Sequence, residues 1–260
     1  MKKFLIGILI FIVLNLYFNF TTHFISNTVI VFISILLFFP LAYYLVRFVG
    51  ISGLRGLGLF YSKRGFRFFC ISFLIGFGTW TLMYLLYSYL GKFQIMGMKT
   101  GIEALWIVLQ VLVGFFLGSL INDLITRSYV IQFLQGKMQP VVIGFISIVI
   151  YALDDFWNGD LTLMNFVFSL ILGCTFTLAF LKTGSLWANT GLHFGLNVAF
   201  GLFYGLNGTY GSGLITTVEG EIHWAVNGLI VLGAACVLFV IVYFVYQKPK
   251  AERKQEVHVV

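Results

Sequence analysis

Apolar residues fill eight stretches of helix length along the chain, at about 4–20, 28–49, 67–90, 103–126, 139–155, 161–181, 185–205 and 224–246. Each is close to the roughly 20 residues that cross a bilayer core, so the pattern predicts eight transmembrane helices and an all-α integral membrane protein. Pro40 falls inside the second stretch, where it removes a backbone donor and predicts a kink. The opening Met1-Lys2-Lys3 and its apolar run could be a secretory signal, but no small-residue cleavage pattern precedes Thr21 and Thr22, so a retained first span is expected.

The connectors give an orientation. Lys2, Lys3, Arg47, Arg55, Lys63, Arg64, Arg67, Lys137, Lys182, Lys248, Lys250, Arg253 and Lys254 fall on one side of the predicted membrane, and Lys92 and Lys99 on the other. Positive charge stays on the cytoplasmic side, so both termini are expected there. The opposite loops carry Asp160, Glu219 and Glu221, and the Gly- and Asn-rich stretch 207–213 predicts a surface turn. The organisation follows: two helices and a basic connector over 1–56, a core over 57–213, a last helix within 214–247 and a solvated tail over 248–260.

Composition narrows the class. The chain is 60% hydrophobic and 10% charged, against about 45–50% and 25% in soluble domains. Soluble enzymes, disordered tails and disulfide scaffolds are excluded together. A net charge of +7 is accounted for by orientation in the membrane, so nucleic acid is not an expected partner and the bilayer is. Cys70, Cys174 and Cys236 lie in apolar runs without metal-ligand spacing and read as small core residues.

Against this background polar residues inside the spans stand out, because each costs several kcal/mol unless paired. They are Asn122, Asp123 and Arg127; Asp154 and Asp155; Asn165; and Asn189, His193 and Asn197. If the fourth helix continues to residue 135, a rise of about 1.5 Å per residue puts Asn122 ~20 Å, Asp155 ~22 Å, His193 ~16 Å and Asn197 ~22 Å above the basic side. Three helices would then carry their polar groups at one depth. Asp123 and Arg127 are four residues apart and can neutralise one another. A lone asparagine would be packing glue between helices, but glue does not call for an acid, a histidine and an arginine in one layer.

These residues resemble the CAAX protease and bacteriocin-processing (CPBP) intramembrane endopeptidases, whose signature is Glu-Glu-x-x-x-Arg, Phe-x-x-x-His and His-x-x-x-Asn/Asp on an eight-span scaffold. The third motif stands intact in SLWANTGLHFGLN at 185–197, after LKTG. The first survives as NDLITR at 122–127 and the second as YALDD at 151–155, followed by FWNG. Upstream, LGLFYSKRGFRFF from Leu57 is similar to the basic connector before the family's core, and the resemblance covers 57–213. It implies a CAAX-protease-like bundle in a bacterial cytoplasmic membrane that hydrolyses peptide bonds of membrane-associated peptides. It also implies oxyanion roles for His193 and Asn197 and a supporting role for Arg127.

The chain departs from the family where the chemistry is centred. Asn122 stands for the catalytic Glu, Asp123 for the supporting Glu, and Asp155 for the motif-two His. An amide cannot accept a proton near neutral pH, so Asn122 could only orient a water. Arg127 occupies Asp123, which leaves Asp155 as the expected base, alone or paired with His193. A glutamate shortened to aspartate loses about 1 to 1.5 Å of reach, enough to cost on the order of 100-fold in rate. No cofactor is expected; a zinc would have to rely on His193 and two aspartates. Three readings stay open: a weakened endopeptidase acting on a membrane peptide or protein; an inert pseudoprotease that serves as a binding partner or bacteriocin immunity factor; and a small-solute transporter.

Overall fold

The computed structural model describes residues 2–159, 162–206 and 208–247. The expected tail at 248–260, Asp160 and Asn207 lie outside the described residues. In chain order the helices are α1 (Lys2–Phe24), α2 (Thr28–Arg47), α3 (Gly53–Gly56), α4 (Lys63–Tyr89), α5 (Gly101–Asp123), α6 (Val130–Leu134), α7 (Pro140–Asp154), α8 (Leu163–Thr183), α9 (Leu186–Tyr204) and α10 (Trp224–Val245). A π-helical segment, Leu124–Tyr129, joins α5 to α6, so Gly101–Leu134 is one rod of 34 residues, about 50 Å at 1.5 Å per residue. A 3-10 turn, Asp155–Asn158, follows α7.

Local chemistry starts and stops these helices. Asn27 Oδ1 accepts from the Val29 and Ile30 amides at 3.0 and 3.2 Å and caps α2. Ser62 and Thr162 cap α4 and α8 in the same way, through Gly65 N and Asn165 N. Gly184, at φ 63°, ends α8 in the left-handed region. α2 extends to both sides of Pro40.

Among the described residues, seven helices are long and apolar enough to cross a membrane, one fewer than the eight expected. α9 is the exception by composition, yet it too carries the chain from one side of the bundle to the other, because α5–α6, α7 and α8 cross between β1 and α9 and β2 after α9 pairs with β1. Asn189, Thr190, His193, Asn197 and three glycines dilute the hydropathy of this expected span, and most of its residues are buried among other helices. The seven carry large apolar side chains on their outside, such as Leu9, Leu74, Leu82 and Leu229, and the protein is an all-α integral membrane bundle around α9.

Glycines let backbones approach α9. A Cβ at Gly191 would lie 2.5 Å from Phe69 O, and one at Gly195 2.4 Å from Phe73 O, both on α4. From the α4 side, a Cβ at Gly76 would lie 2.3 Å from Leu192 O. This is the small-residue packing that holds helices together where lipid removes the hydrophobic drive. α9 therefore presents one face to α4 and turns the asparagines and His193 elsewhere.

A feature absent from the hydropathy pattern joins two connectors. β1 (Phe93–Met98) and β2 (Ile215–Glu219) pair antiparallel, Phe93 opposite Glu219, with a bulge between Ile95 and Gly97. Phe93 is fully buried against Phe203 and Tyr204 at 5.6 and 6.1 Å. Burial pulls the Lys92 pKa down and Glu219 partly opposes this; the ammonium donates to Asn227 Oδ1 and lies 4.0 Å from the Tyr87 ring centre.

Candidate active site

The π-helical segment builds the first wall of the site. All six of its residues are buried. Tyr129 OH donates to Gly7 O of α1 at 2.7 Å, Ser128 Oγ to Leu57 O, and Ser147 Oγ of α7 to Thr126 O at 2.8 Å. The widened turn thus has polar partners on three sides. Such segments are frequent at functional sites.

Within it Arg127 Nη1 donates to Asp123 Oδ1, and neither side chain has any exposure. The guanidinium carbon lies 4.3 Å from the centre of the Tyr151 ring and 4.8 Å from that of Phe176, a cation held by two aromatic faces in a dry setting. His193 Nδ1 lies 3.3 Å from Asp123 Oδ1. Its ring stacks on Phe176 at 5.1 Å and meets Tyr151 edge-on at 6.0 Å. One carboxylate oxygen therefore serves both Arg127 and His193. Of the three groups only the His193 side chain reaches the surface, at 11% exposure.

A second polar node adjoins the first. Asn122 Nδ2 donates to Asp154 Oδ2 at 2.6 Å, while Asn15 and Asn19 of α1 donate to Oδ1, Asn19 at 3.1 Å. Asp155, in the turn beyond α7, accepts from Ser169 of α8. Asn197 donates to Ser119 Oγ of α5 at 3.0 Å. Asp123 Oδ2, Asn122 Oδ1, Arg127 Nε and Nη2, and both amide atoms of Asn189 are sealed from solvent with no hydrogen-bond partner among the described residues.

The helices that carry the predicted residues do converge, and the rod through the first motif is continuous. The pairing differs from the expectation in one respect: the carboxylate on the His193 ring is that of Asp123, where Asp155 was expected. Asp123 projects from the end of α5 toward α9, whereas Asp155 lies past the last turn of α7 and engages α8. Asn15 and Asn19 of α1 join the site although they were not expected there. These stand four residues apart in the apolar run LNLYFNF, and the criterion applied to the later spans would have singled them out. Asp154, Tyr151, Phe176, Ser119 and Ser169 join the site through contacts that spacing does not encode. Among the described residues, no three His, Cys, Asp or Glu side chains come together in a group able to hold a metal ion.

Comparison with known proteins places a family on this region. Residues 104–199 match the family model for the type II CAAX prenyl endopeptidase, Rce1-like. No curated protein matches the chain. The matched stretch holds the Asp123, Arg127 and His193 cluster with Asn122, Asp154, Asp155 and Asn197, and leaves out α1 with Asn15 and Asn19. The protein is thus a multi-span membrane protein whose residues 104–199 are similar to the Rce1-like type II CAAX prenyl endopeptidase family.

Proposed function

We propose that this protein is an intramembrane endopeptidase of a bacterial cytoplasmic membrane, with both termini cytoplasmic, in which His193 has taken over as general base. The observation that carries this reading is the 3.3 Å contact of His193 Nδ1 with Asp123 Oδ1. A carboxylate on one ring nitrogen fixes the tautomer that leaves Nε2 as the acceptor, and it stabilises the imidazolium formed when that nitrogen takes a proton from water. Arg127, bound to the same oxygen, keeps Asp123 in place. The activated water attacks the carbonyl of a membrane-embedded or membrane-proximal peptide, the tetrahedral intermediate collapses, and the proton on His193 passes to the leaving amine.

A second reading is binding without cleavage, and one contact favours it. Asn122 presents an N–H to Asp154 at 2.6 Å, so the side chain at the family's glutamate position is a donor turned toward a carboxylate and is no base.

Cleavage of a quenched membrane-proximal peptide library by the purified protein separates the two. Endopeptidase function predicts turnover by wild type that falls by about 100-fold or more in His193→Gln and persists in Asp155→Asn. No turnover by wild type, with turnover in the double variant Asn122→Glu, Asp155→His, would establish the binding reading instead.

A further inference from the structure

The connector that joins α2 to α4 and includes α3 carries five cations, Arg47, Arg55, Lys63, Arg64 and Arg67, all of them exposed. Nothing acidic answers them. The first Asp or Glu of the chain is Glu103, and no ion pair engages any of the five among the described residues. Orientation in the membrane accounts for the side on which they lie but not for their crowding, because like charges repel. Two of the guanidinium groups rest on rings, the Arg47 carbon 5.3 Å from the centre of Tyr43 and the Arg64 carbon 5.4 Å from that of Phe68. Phe48, Phe60, Tyr61 and Phe66 stand exposed between the cations, an interleaving of rings and charge that suits the boundary between acyl chains and headgroups. The same connector is clamped to both walls of the site. Leu57 O accepts from Ser128 Oγ of the π-helical segment, and Phe60 O from Trp187 Nε1 of α9 at 2.8 Å. Trp187 also packs so closely on α4 that a Cβ at Gly65 would lie 2.7 Å from its ring.

We propose that this connector is a docking surface for the headgroups of anionic phospholipids, and that headgroups seated on it tighten the site through Leu57 and Phe60. The charges are complementary: a phosphodiester brings one negative charge and oxygens that accept from Arg and Lys. The connector runs where the spans α2 and α4 end, which is the depth of lipid phosphate, so the acyl chains lie along the apolar flanks of the two helices. A zwitterionic headgroup offers the same phosphate but carries its own cation, which cancels the net attraction. The surface stands apart from the cleavage reading, since it needs neither His193 nor turnover.

The test is thermal unfolding of the full chain in an uncharged detergent, followed by tryptophan fluorescence, with added phosphatidylglycerol or phosphatidylcholine of the same acyl chains. A ligand of the folded state stabilises it by mass action, so phosphatidylglycerol is expected to raise the apparent Tm over phosphatidylcholine by about 2–4 °C. Each Lys or Arg beside an anionic headgroup strengthens binding about fivefold. The triple variant Arg55→Gln, Lys63→Gln, Arg64→Gln should therefore need about 100-fold more phosphatidylglycerol for the same rise. Lys2→Gln, Lys3→Gln, Lys137→Gln, which removes as much charge outside the connector, should respond as wild type does. Equal Tm in the two lipids overturns the proposal. So does an equal loss in the two triple variants, which would assign the effect to net charge, and so does an equal rise with glycerol phosphate, which would assign the cations to a soluble anion. Should the connector variant fail to fold, native mass spectrometry with an equimolar mixture of the two lipids decides. Enrichment of phosphatidylglycerol on wild type that falls in the single variant Arg55→Gln supports the surface, and an unbiased bound pool, or one that Arg55→Gln leaves unchanged, removes it.

Discussion

At the scale of single residues, the central fact is that one oxygen of Asp123 meets both Arg127 and His193. The Asp123 and Arg127 pair is fully buried, and removing one partner of such a pair costs about 3–5 kcal/mol because the other is left charged and dry. Arg127→Leu is therefore expected to lose folded protein, read as a collapse in detergent-extractable monodisperse yield. His193→Gln should keep its yield, because its ring is the edge of the cluster and its loss strands no charge. A large loss of yield in His193→Gln would assign the histidine a structural role. The spacing of Asp123 and Arg127 at i, i+4 made their pairing legible. The third member was not legible, since 70 residues separate His193 from Asp123 and no local rule selects among three aspartates.

At the scale of elements, α9 against α4 is the contact most sensitive to size. A Cβ at Gly195 would meet Phe73 O at 2.4 Å and Phe77 N at 2.7 Å, both backbone atoms that cannot move aside. Gly195→Val should force the two helices apart and lower the Tm by several degrees or prevent folding, an overpacking cost of about 1–3 kcal/mol or more. Gly118→Ala on α5 is the contrast. Nothing lies within 4 Å of its added Cβ, so the exchange should be neutral or raise stability by up to about 1 kcal/mol through helix propensity. Equal effects of the two would mean that α4 and α9 do not pack through glycine. Helix boundaries were largely readable from apolar run length, but the strand pair was not. Six and five residues of mixed polarity between spans give too short a period to read, and their register depends on a partner more than 100 positions away.

At the scale of the whole molecule, the proposed topology assigns opposite sides of the membrane to the β1 connector and the α3–α4 connector. In a chain with Cys70, Cys174 and Cys236 replaced by Ala, Met96→Cys should react with an impermeant maleimide on intact cells, and Tyr61→Cys only after permeabilisation. Both positions are well exposed, at 66% and 80%, so the difference reads sidedness; the reverse pattern would invert the protein. The sequence by itself determined that this chain lives in a bilayer, which stretches form its long helices, and that polar residues recur inside three of them, because hydrophobic run length and the cost of buried polar groups are local quantities. Only the tertiary structure decided which aspartate meets His193, that the first helix reaches Asp154 through Asn15 and Asn19, and that two connectors pair as strands. Those outcomes depend on the rotation and depth of helices packed against one another, and neither is written in any one stretch of chain.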